Sequence, residues 1–322
     1  MAAMGALGRA SSRVGHDRGA KTQRGERMNQ PVVWSAIGWL TIGALVSAAG
    51  ACGGKAIVDG TTGGTGGNGT GGSAGGSGAG ATGGSGGDPV TGGCPASPSG
   101  VTPLVAVPTL LGTTTCVEAA EVTRGQYEIW LNTGGVPAGL PVACSFNVEY
   151  EPTADWPPGG VGLERPVAHV DWCDALAYCL DHDRRLCGRI GAGPLDPNDT
   201  NDATESEWFN ACSNQGQRAF PYGQDYEPST CNGSDLGVNT ATDVASHVGC
   251  VDATGMIFDL SGNVWEYEDS CAGDAGDGDD CSIRGGAYNN GPNSLDCGAN
   301  VTAQRGGTAV NIGFRCCADP LE

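Results

Sequence analysis

The segment Pro166–Cys179 reads PVAHVDWCDALAYC and contains a complete helix start. Asp171 suits the N-cap, because its side chain accepts a hydrogen bond from the backbone of the first turn. Apolar residues and a cysteine follow at helical spacing, at Trp172, Ala175, Leu176 and Cys179. The spacing predicts an amphipathic helix that turns Cys179 toward a core.

Two further segments predict helices with capping boxes, in which the N-cap side chain and the third helical residue cap each other. In the first, Thr123 and Gln126 form the box, Val122 and Tyr127 form a hydrophobic staple, and Trp130 and Leu131 extend the buried face. In the second, Thr204 pairs with Glu207. That helix turns three residues inward, namely Trp208, Ala211 and Cys212.

After Cys212 the chain is rich in Gly and turns, with aromatic and β-branched residues in brief runs. This pattern is typical of short, irregular strands and not of repeated βαβ units. Three helices and many short strands predict an α+β domain.

The protein has 322 residues, of which 57 are Gly, and its net charge is −20. Gly occupies 18 of the 34 positions from 60 to 93, so this stretch is a flexible tether. Residues 94–322 contain nine Arg, no Lys and 32 acidic side chains, a net charge of −23. Such a domain repels phosphate backbones and anionic headgroups, which excludes nucleic acid and nucleotide as partners and favours a cation such as Ca²⁺.

The N-terminal region predicts export. A basic stretch precedes Met28, an uncharged run spans Pro31–Ala51, and small residues stand directly before Cys52. We expect a signal peptide over residues 1–51, with 28–51 as the signal itself and 1–27 as an extension. Residues 52–93 are then a lipidated Cys52 and its Gly-rich linker. Ordinary secretion and a retained membrane anchor are the alternatives.

These features predict a protein of the cell envelope, held at the outer membrane or cell surface by its lipid alone.

Apart from Cys52, the chain has 14 cysteines, all within residues 94–322. In an oxidising compartment an even number of this size predicts up to seven disulfides. A zinc site is excluded by spacing, because no C-x-x-C occurs and the histidines are dispersed.

Eight motifs occur in an order that resembles the formylglycine-generating enzyme, or sulfatase-modifying factor, family. They are EVTRGQY from Glu121, PVAHVDWCDALAYC from Pro166, RRL from Arg184, TESEW from Thr204, FPYG from Phe220, DLSGNVWEY from Asp259, RGGAY from Arg284 and GFRC from Gly313. The resemblance spans residues 116–316. It implies one irregular, loop-rich and disulfide-rich α+β domain over residues 94–322, related to C-type-lectin-like folds.

The resemblance also implies two disulfides, Cys179–Cys316 and Cys212–Cys297. Both agree with the helix faces, since Cys179 and Cys212 are predicted to point inward. Proximity across an acidic loop suggests a third pair, Cys271–Cys281. The partners of six other cysteines stay open: Cys94, Cys116, Cys144, Cys173, Cys187 and Cys317.

In the family, two reactive thiols follow the Gly-Gly-x-Tyr motif, where they bind Cu(I) and oxidise a sulfatase cysteine to formylglycine. The equivalent positions here are Asn290 and Leu295. An amide supplies no thiolate and Leu has no ligand atom, so no copper is expected. Cys297 is the one nearby thiol that a displaced mechanism would use. A His-iron site and a serine-hydrolase triad find no support, and His169 is expected to be a core or surface residue.

Calcium is the cofactor that the resemblance implies. Its ligands would be the side chains of Asp259 and Glu266 and the carbonyls of Gly262 and Val264, a set of hard oxygen ligands. A second family site would use Asn232, Gly233 and Asp243.

The sequence favours a lipid-anchored, non-catalytic binding or accessory module for an unidentified peptide, glycan or protein. Its groove is expected near five residues: Trp265, Arg284, Tyr288, Asn289 and Asn290. The alternatives are an oxidoreductase that generates formylglycine with a displaced thiol, and a structural surface protein.

Overall fold

A computed structural model of the protein describes residues 93–322. The predicted signal peptide, Cys52 and all but the last residue of the linker lie outside the described residues. Among the helices of the described part, none has the length and apolarity needed to cross a membrane.

Helix α1 spans Arg124–Thr133 and helix α2 spans Trp172–Asp181. Both begin at the predicted N-caps with reciprocal capping boxes, Thr123 with Gln126 and Asp171 with Asp174. Each box satisfies backbone N–H groups that the helix itself leaves without partners.

Helix α3 spans Glu207–Ser213, and its N-cap is Ser206, not Thr204. The Ser206 hydroxyl accepts a hydrogen bond from Phe209 N at 3.0 Å, whereas Thr204 hydrogen-bonds to Asp202 in the preceding turn. The Glu207 carboxylate, predicted as the capping partner, instead accepts from Gly188 N and pairs with Arg185. The predicted capping box is therefore wrong, because a tight turn places Thr204 before the helix.

The remaining elements are short. They are β1 (Leu104–Pro108), β2 (Thr114–Glu118), β3 (Arg185–Leu186), β4 (Trp265–Cys271), β5 (Asp280–Arg284), helix α4 (Pro292–Leu295), β6 (Val301–Gln304), β7 (Ile312–Gly313) and β8 (Cys316–Ala318), with 3-10 turns at Val142–Cys144 and Ser234–Leu236. One sheet has the order β1-β2-β8-β3 and is antiparallel. The other has the order β6-β5-β4-β7, with β7 parallel to β4.

The main core forms where α1 and α2 meet. Tyr127 of α1 stacks on Tyr178 of α2 with ring centroids 5.7 Å apart, and Phe314 meets both rings edge-on. A second cluster gathers Trp208, Ile257 and Leu260 beneath the first sheet. The predicted class, an irregular, loop-rich and disulfide-rich α+β domain, is confirmed.

All 14 cysteines of the described residues form disulfides. The pairs are Cys94–Cys116, Cys144–Cys173, Cys179–Cys316, Cys187–Cys317, Cys212–Cys297, Cys231–Cys250 and Cys271–Cys281. They include the two pairs that the resemblance implies and the pair inferred from proximity. Adjacent Cys316 and Cys317 bond to different partners, so β8 is fastened to both α2 and the segment after β3.

Candidate functional site

The candidate site is built on the turn that follows β5. Gly285 and Gly286 both have positive φ, of 85° and 74°, a region that glycine enters without strain. At Gly286 a Cβ atom would lie 2.5 Å from the carbonyl oxygen of Ser294. The glycine pair therefore lets the turn fold back against α4.

Asn290, at the first expected thiol position, is a turn residue. Its side-chain oxygen accepts a hydrogen bond from Ala287 N at 3.0 Å, and its own N–H donates to the Ala287 carbonyl at 2.9 Å. The Asn290 carbonyl in turn accepts from Ser234 N at 2.9 Å. The amide thus holds the loop in shape.

Leu295, at the second position, is a core residue with 1% of its surface exposed. A Cβ on Gly233 would lie 2.4 Å from one Leu295 methyl group, and a Cβ on Gly286 would lie 2.8 Å from the other. The side chain therefore fills the space between two glycine backbones. A buried methyl group occupies the place where the reactive thiol is expected.

Arg284, predicted to line a groove, is instead fully buried. Its guanidinium donates to the Cys297 carbonyl at 2.7 Å and to the Asn201 side chain at 2.8 Å, and it lies over the Trp208 ring. Its Nε is 3.7 Å from the Glu268 carboxylate. Burial raises the pKa of Glu268 from 4.5 to about 7, although Arg284 opposes the shift. Arg284 supports the framework because its Nη2 satisfies both the Cys297 carbonyl and the Asn201 side-chain oxygen.

The other expected groove residues divide between core and surface. Trp265 is buried, Tyr288 and Asn290 are half-buried, and Asn289 is exposed. Of the five, Tyr288 lines a cavity of about 110 Å³. The cavity lies between the start of α1, residues 154–156, residues 165–169 and the Tyr288 turn.

Glu266 has both carboxylate oxygens engaged. Arg315 Nε and Nη2 each donate to one oxygen at 2.6 Å, and Trp208 Nε1 donates to Oε2 at 2.9 Å. The pair is almost completely buried, and the remaining Arg315 donors bind the carbonyls of Glu118 and Phe258. Of the four oxygen ligands that the resemblance implies, Glu266 is therefore already neutralised by a cationic side chain.

The other three implied ligands, Asp259, Gly262 and Val264, suit a hard cation better than Glu266 does. Asp259 and Gly262 have positive φ, of 60° and 83°. Outside the regular strands, no hydrogen bond within residues 93–322 reaches the carbonyls of Gly262 or Val264. The Asp259 carboxylate accepts one bond, from Ala245 N at 2.6 Å, and burial raises its pKa to about 6. These three residues retain oxygen lone pairs for a metal.

The residues of the second implied calcium site lie close to the first. A Cβ on Gly262 would lie 2.4 Å from the Asn232 carbonyl. The Asn232 amide donates to the Asn263 side chain, while its buried Oδ1 has no hydrogen-bond partner in the described residues. Gly233 packs on Leu295, and Asp243 is exposed. In residues 93–322 no three or more His, Cys, Asp or Glu side chains form a metal-holding group, so either site would need amide and carbonyl oxygens in addition to its one aspartate.

Glu121 and Arg315 lie within the family motifs, but no functional role was predicted for either from the sequence. Glu121 is buried, accepts from Asn263 and lies near Asp259 and Glu266, and burial raises its pKa well above the usual range. The signals were Glu121, the one acidic residue of EVTRGQY, and Arg315, the one charged residue of GFRC. They did not identify partners, because Glu266 and Arg315 are 49 residues apart.

His169 was predicted to be a core or surface residue, and it lines the cavity beside Tyr288. Its backbone φ is +61°, which is unusual for a side chain with a Cβ. No local sequence pattern predicted this positive φ.

Comparison with known proteins identifies the family that the chain matches. Residues 115–320 match the family described as "Sulfatase-modifying factor enzyme 1-like domain". The "Inactive C-alpha-formylglycine-generating enzyme 2" of Mus musculus is 32% identical over 186 residues, which cover 51% of this chain and 55% of that relative. The "Formylglycine-generating enzyme" of Mus musculus is 29% identical over 182 residues, covering 48% and 45%. The chain thus spans about half the length of these relatives.

Among solved structures, PvdO from Pseudomonas aeruginosa aligns with a TM-score of 0.46 at 20% identity, covering 70% of this chain and 89% of that one. The structure of CarF aligns with a TM-score of 0.45 at 20% identity, covering 65% and 87%.

Proposed function

Because the chain belongs to the sulfatase-modifying factor enzyme 1-like family, we propose that residues 94–322 are a non-catalytic binding or accessory module. One observation carries the proposal. The two positions where the family's reactive thiols are expected hold Asn290, which shapes a turn, and Leu295, which fills a packed site. Thiol chemistry needs a free thiolate, and neither side chain supplies one.

The disulfides support the same proposal. Cys297, the nearest candidate for a displaced thiol, is bonded to Cys212 and buried. The alternative, an oxidase that generates formylglycine, would require this disulfide to open. A relative whose name describes an inactive enzyme is consistent with loss of catalysis within the family. A structural surface protein is the third candidate, favoured only by the long tether.

The test of catalysis uses a peptide that carries a sulfatase-type cysteine. The full chain, incubated with this peptide, oxygen and Cu(I), is expected to produce no aldehyde, measured by hydrazide capture and mass spectrometry. An active formylglycine-generating enzyme is the positive control. Aldehyde formation that disappears in Cys297→Ser would establish the displaced-thiol alternative and overturn the proposal.

We also propose that the module is exported and anchored at the cell envelope through acylated Cys52, which precedes the Gly-rich tether. Metabolic labelling with a palmitate analogue should mark the full chain but not Cys52→Ala. The variant should leave the membrane fraction. Equal labelling of the two proteins would exclude this anchor.

Calcium binding at Asp259, Gly262 and Val264 completes the proposal. Bound calcium would supply a positive charge and fasten the loop before β4, which raises stability by mass action. The supporting observation is that these oxygens keep lone pairs in an otherwise satisfied loop.

A further inference from the structure

The cavity beside Tyr288 concentrates positive charge in an acidic domain. Arg124, Arg165 and His169 line it, together with Asp155 and the aromatic rings of Trp156 and Tyr288. Arg124 N donates to the Arg165 carbonyl at 2.8 Å, so the backbone fixes these two residues side by side.

Within the part of the chain that the structure describes, the two arginines lack carboxylate partners, although carboxylates outnumber arginines by 32 to nine in residues 94–322. Five other arginines pair with Asp or Glu in the described residues: Arg184, Arg185, Arg284, Arg305 and Arg315. Within that same part, the Arg124 side chain hydrogen-bonds only to the Asp155 carbonyl, and the exposed Arg165 side chain forms no hydrogen bond or ion pair. Two guanidinium groups therefore retain donors beside one cavity.

His169 adds a polar group without a hydrogen-bond partner in the described residues. Its Nε2 is buried and forms no hydrogen bond within residues 93–322, although Asp155 Oδ2 is 3.5 Å away. The backbone φ is +61° at His169 and +55° at Asp155. Hydrogen bonds from His169 N to the Ala309 carbonyl and from Thr153 N to the His169 carbonyl hold this conformation. Unusual backbone conformations of this kind cluster at ligand sites.

We propose that this cavity binds the carboxylate of an acidic side chain in a peptide ligand. The inference rests on the proposed binding function and names its ligand class. Guanidinium groups match carboxylates because their planar N–H donors align with both oxygens. Trp156, itself packed edge-on against Tyr127, and Tyr288 provide flat walls for the neighbouring apolar atoms.

The volume of the cavity and the net charge of the domain limit the class of ligand. The cavity of about 110 Å³ is smaller than the roughly 300–1,000 Å³ that small-molecule sites occupy, so it admits one side chain of a larger ligand. The domain's net charge of −23 repels polyanions at a distance. The ligand is therefore a peptide with a single Asp or Glu and no further acidic residue. The Asp155 carboxylate opposes binding weakly, because its side chain is 75% exposed and solvent screens it.

The experiment probes the full chain with an array of capped, otherwise neutral peptides that carry one Asp or Glu. Each has a twin with Asn or Gln at that position, and affinities of the hits are measured by fluorescence anisotropy. We expect the acidic peptide to bind at least about tenfold more tightly than its twin. Arg124→Gln with Arg165→Gln should remove this preference.

Arg189→Gln is the matched control. Arg189 is also exposed and lacks an ion pair in the described residues, but it does not line the cavity. This variant removes one positive charge from the same domain, as Arg165→Gln alone does, and should keep the preference. Circular dichroism and unfolding temperature check folding. Arg165→Gln alone is the second variant, since the exposed Arg165 side chain makes no hydrogen bond within residues 93–322.

The other outcomes contradict the inference. A preference that survives in the double variant would place the carboxylate elsewhere. Hits without acidic preference would leave the binding function intact but exclude this ligand class. If glucuronate binds in an Arg165-dependent way and no peptide does, the carboxylate comes from a sugar. Aldehyde formation on a cysteine peptide would instead refute the proposed function itself.

Discussion

Cys297 is bonded to Cys212 with the two Cα atoms 5.7 Å apart, and its side chain is completely buried. This bond ties the segment after α4 to α3 and leaves the thiol closest to the altered positions unreactive. Because the other 12 cysteines of residues 93–322 are also paired, that part of the chain contains no thiolate.

The first prediction concerns thiol reactivity. Under denaturing, non-reducing conditions, maleimide should modify no cysteine within residues 94–322, and peptide mapping should recover seven disulfides. Cys212→Ala with Cys297→Ala should lower the free energy of unfolding by about 4 kcal/mol, because the bond closes a loop of 85 residues. Selective labelling of Cys297 in the unaltered protein under mild reductant would contradict the assignment and favour redox chemistry.

The second prediction tests the packing role of Leu295. Leu295→Ala should cost about 2–5 kcal/mol of unfolding free energy, because it opens a cavity between the backbones of Gly233 and Gly286. Leu110→Ala is the matched control. Leu110 is 52% exposed, so its replacement should lower the free energy of unfolding only slightly. Chemical denaturation curves measure both. Equal stability of the two variants would show that Leu295 is not a core residue.

The third prediction separates calcium binding from the buried ion pair. Calcium should raise the unfolding temperature in a concentration-dependent way, and Asp259→Ala should abolish that rise. Asp225→Ala, an exposed control, should retain it. If chelation leaves the unfolding temperature of the unaltered chain unchanged, no calcium site exists.

The same measurement distinguishes Glu266. Glu266→Gln should destabilise the fold by about 3–5 kcal/mol with or without calcium, because it leaves Arg315 buried without its counter-charge. If its effect is instead confined to calcium-containing buffer, Glu266 is a metal ligand and the ion pair contributes little.

The fourth prediction is a pH dependence. Burial raises the pKa of Glu268 from 4.5 to about 7 and that of Glu118 by a similar amount. The folded state then binds protons more tightly than the unfolded state between about pH 4.5 and 7, so its stability falls as pH rises through this window. Calorimetry without calcium should give a higher unfolding temperature at pH 5 than at pH 8.

Glu268→Gln should flatten this pH dependence, because it removes one of the titrating groups. Glu151→Gln changes an exposed carboxylate and serves as the control. A stability that increases from pH 5 to pH 8 in the unaltered protein would show that these carboxyls are ionised when folded.

Local sequence determined the start of α1, the start of α2 and the inward faces of Cys179 and Cys212. Capping and helical periodicity act over a few residues, so the chain itself displays them. The capping pattern predicted the N-cap of α3 at Thr204, because sequence alone does not show that a turn over residues 202–205 delays the helix to Ser206.

Tertiary structure decided the site. The residue types at positions 290 and 295 showed that neither carries a thiol. Only the packing of Leu295 against Gly233 and Gly286 shows that its side chain fills the space between these two backbones. Arg284 lies in the core and not in a groove, because its partners Asn201, Glu268 and Cys297 come from three other segments of the chain. The cavity likewise joins Arg124, Arg165 and Tyr288 across 164 residues of chain. Long-range packing produces such contacts, and no local pattern encodes them.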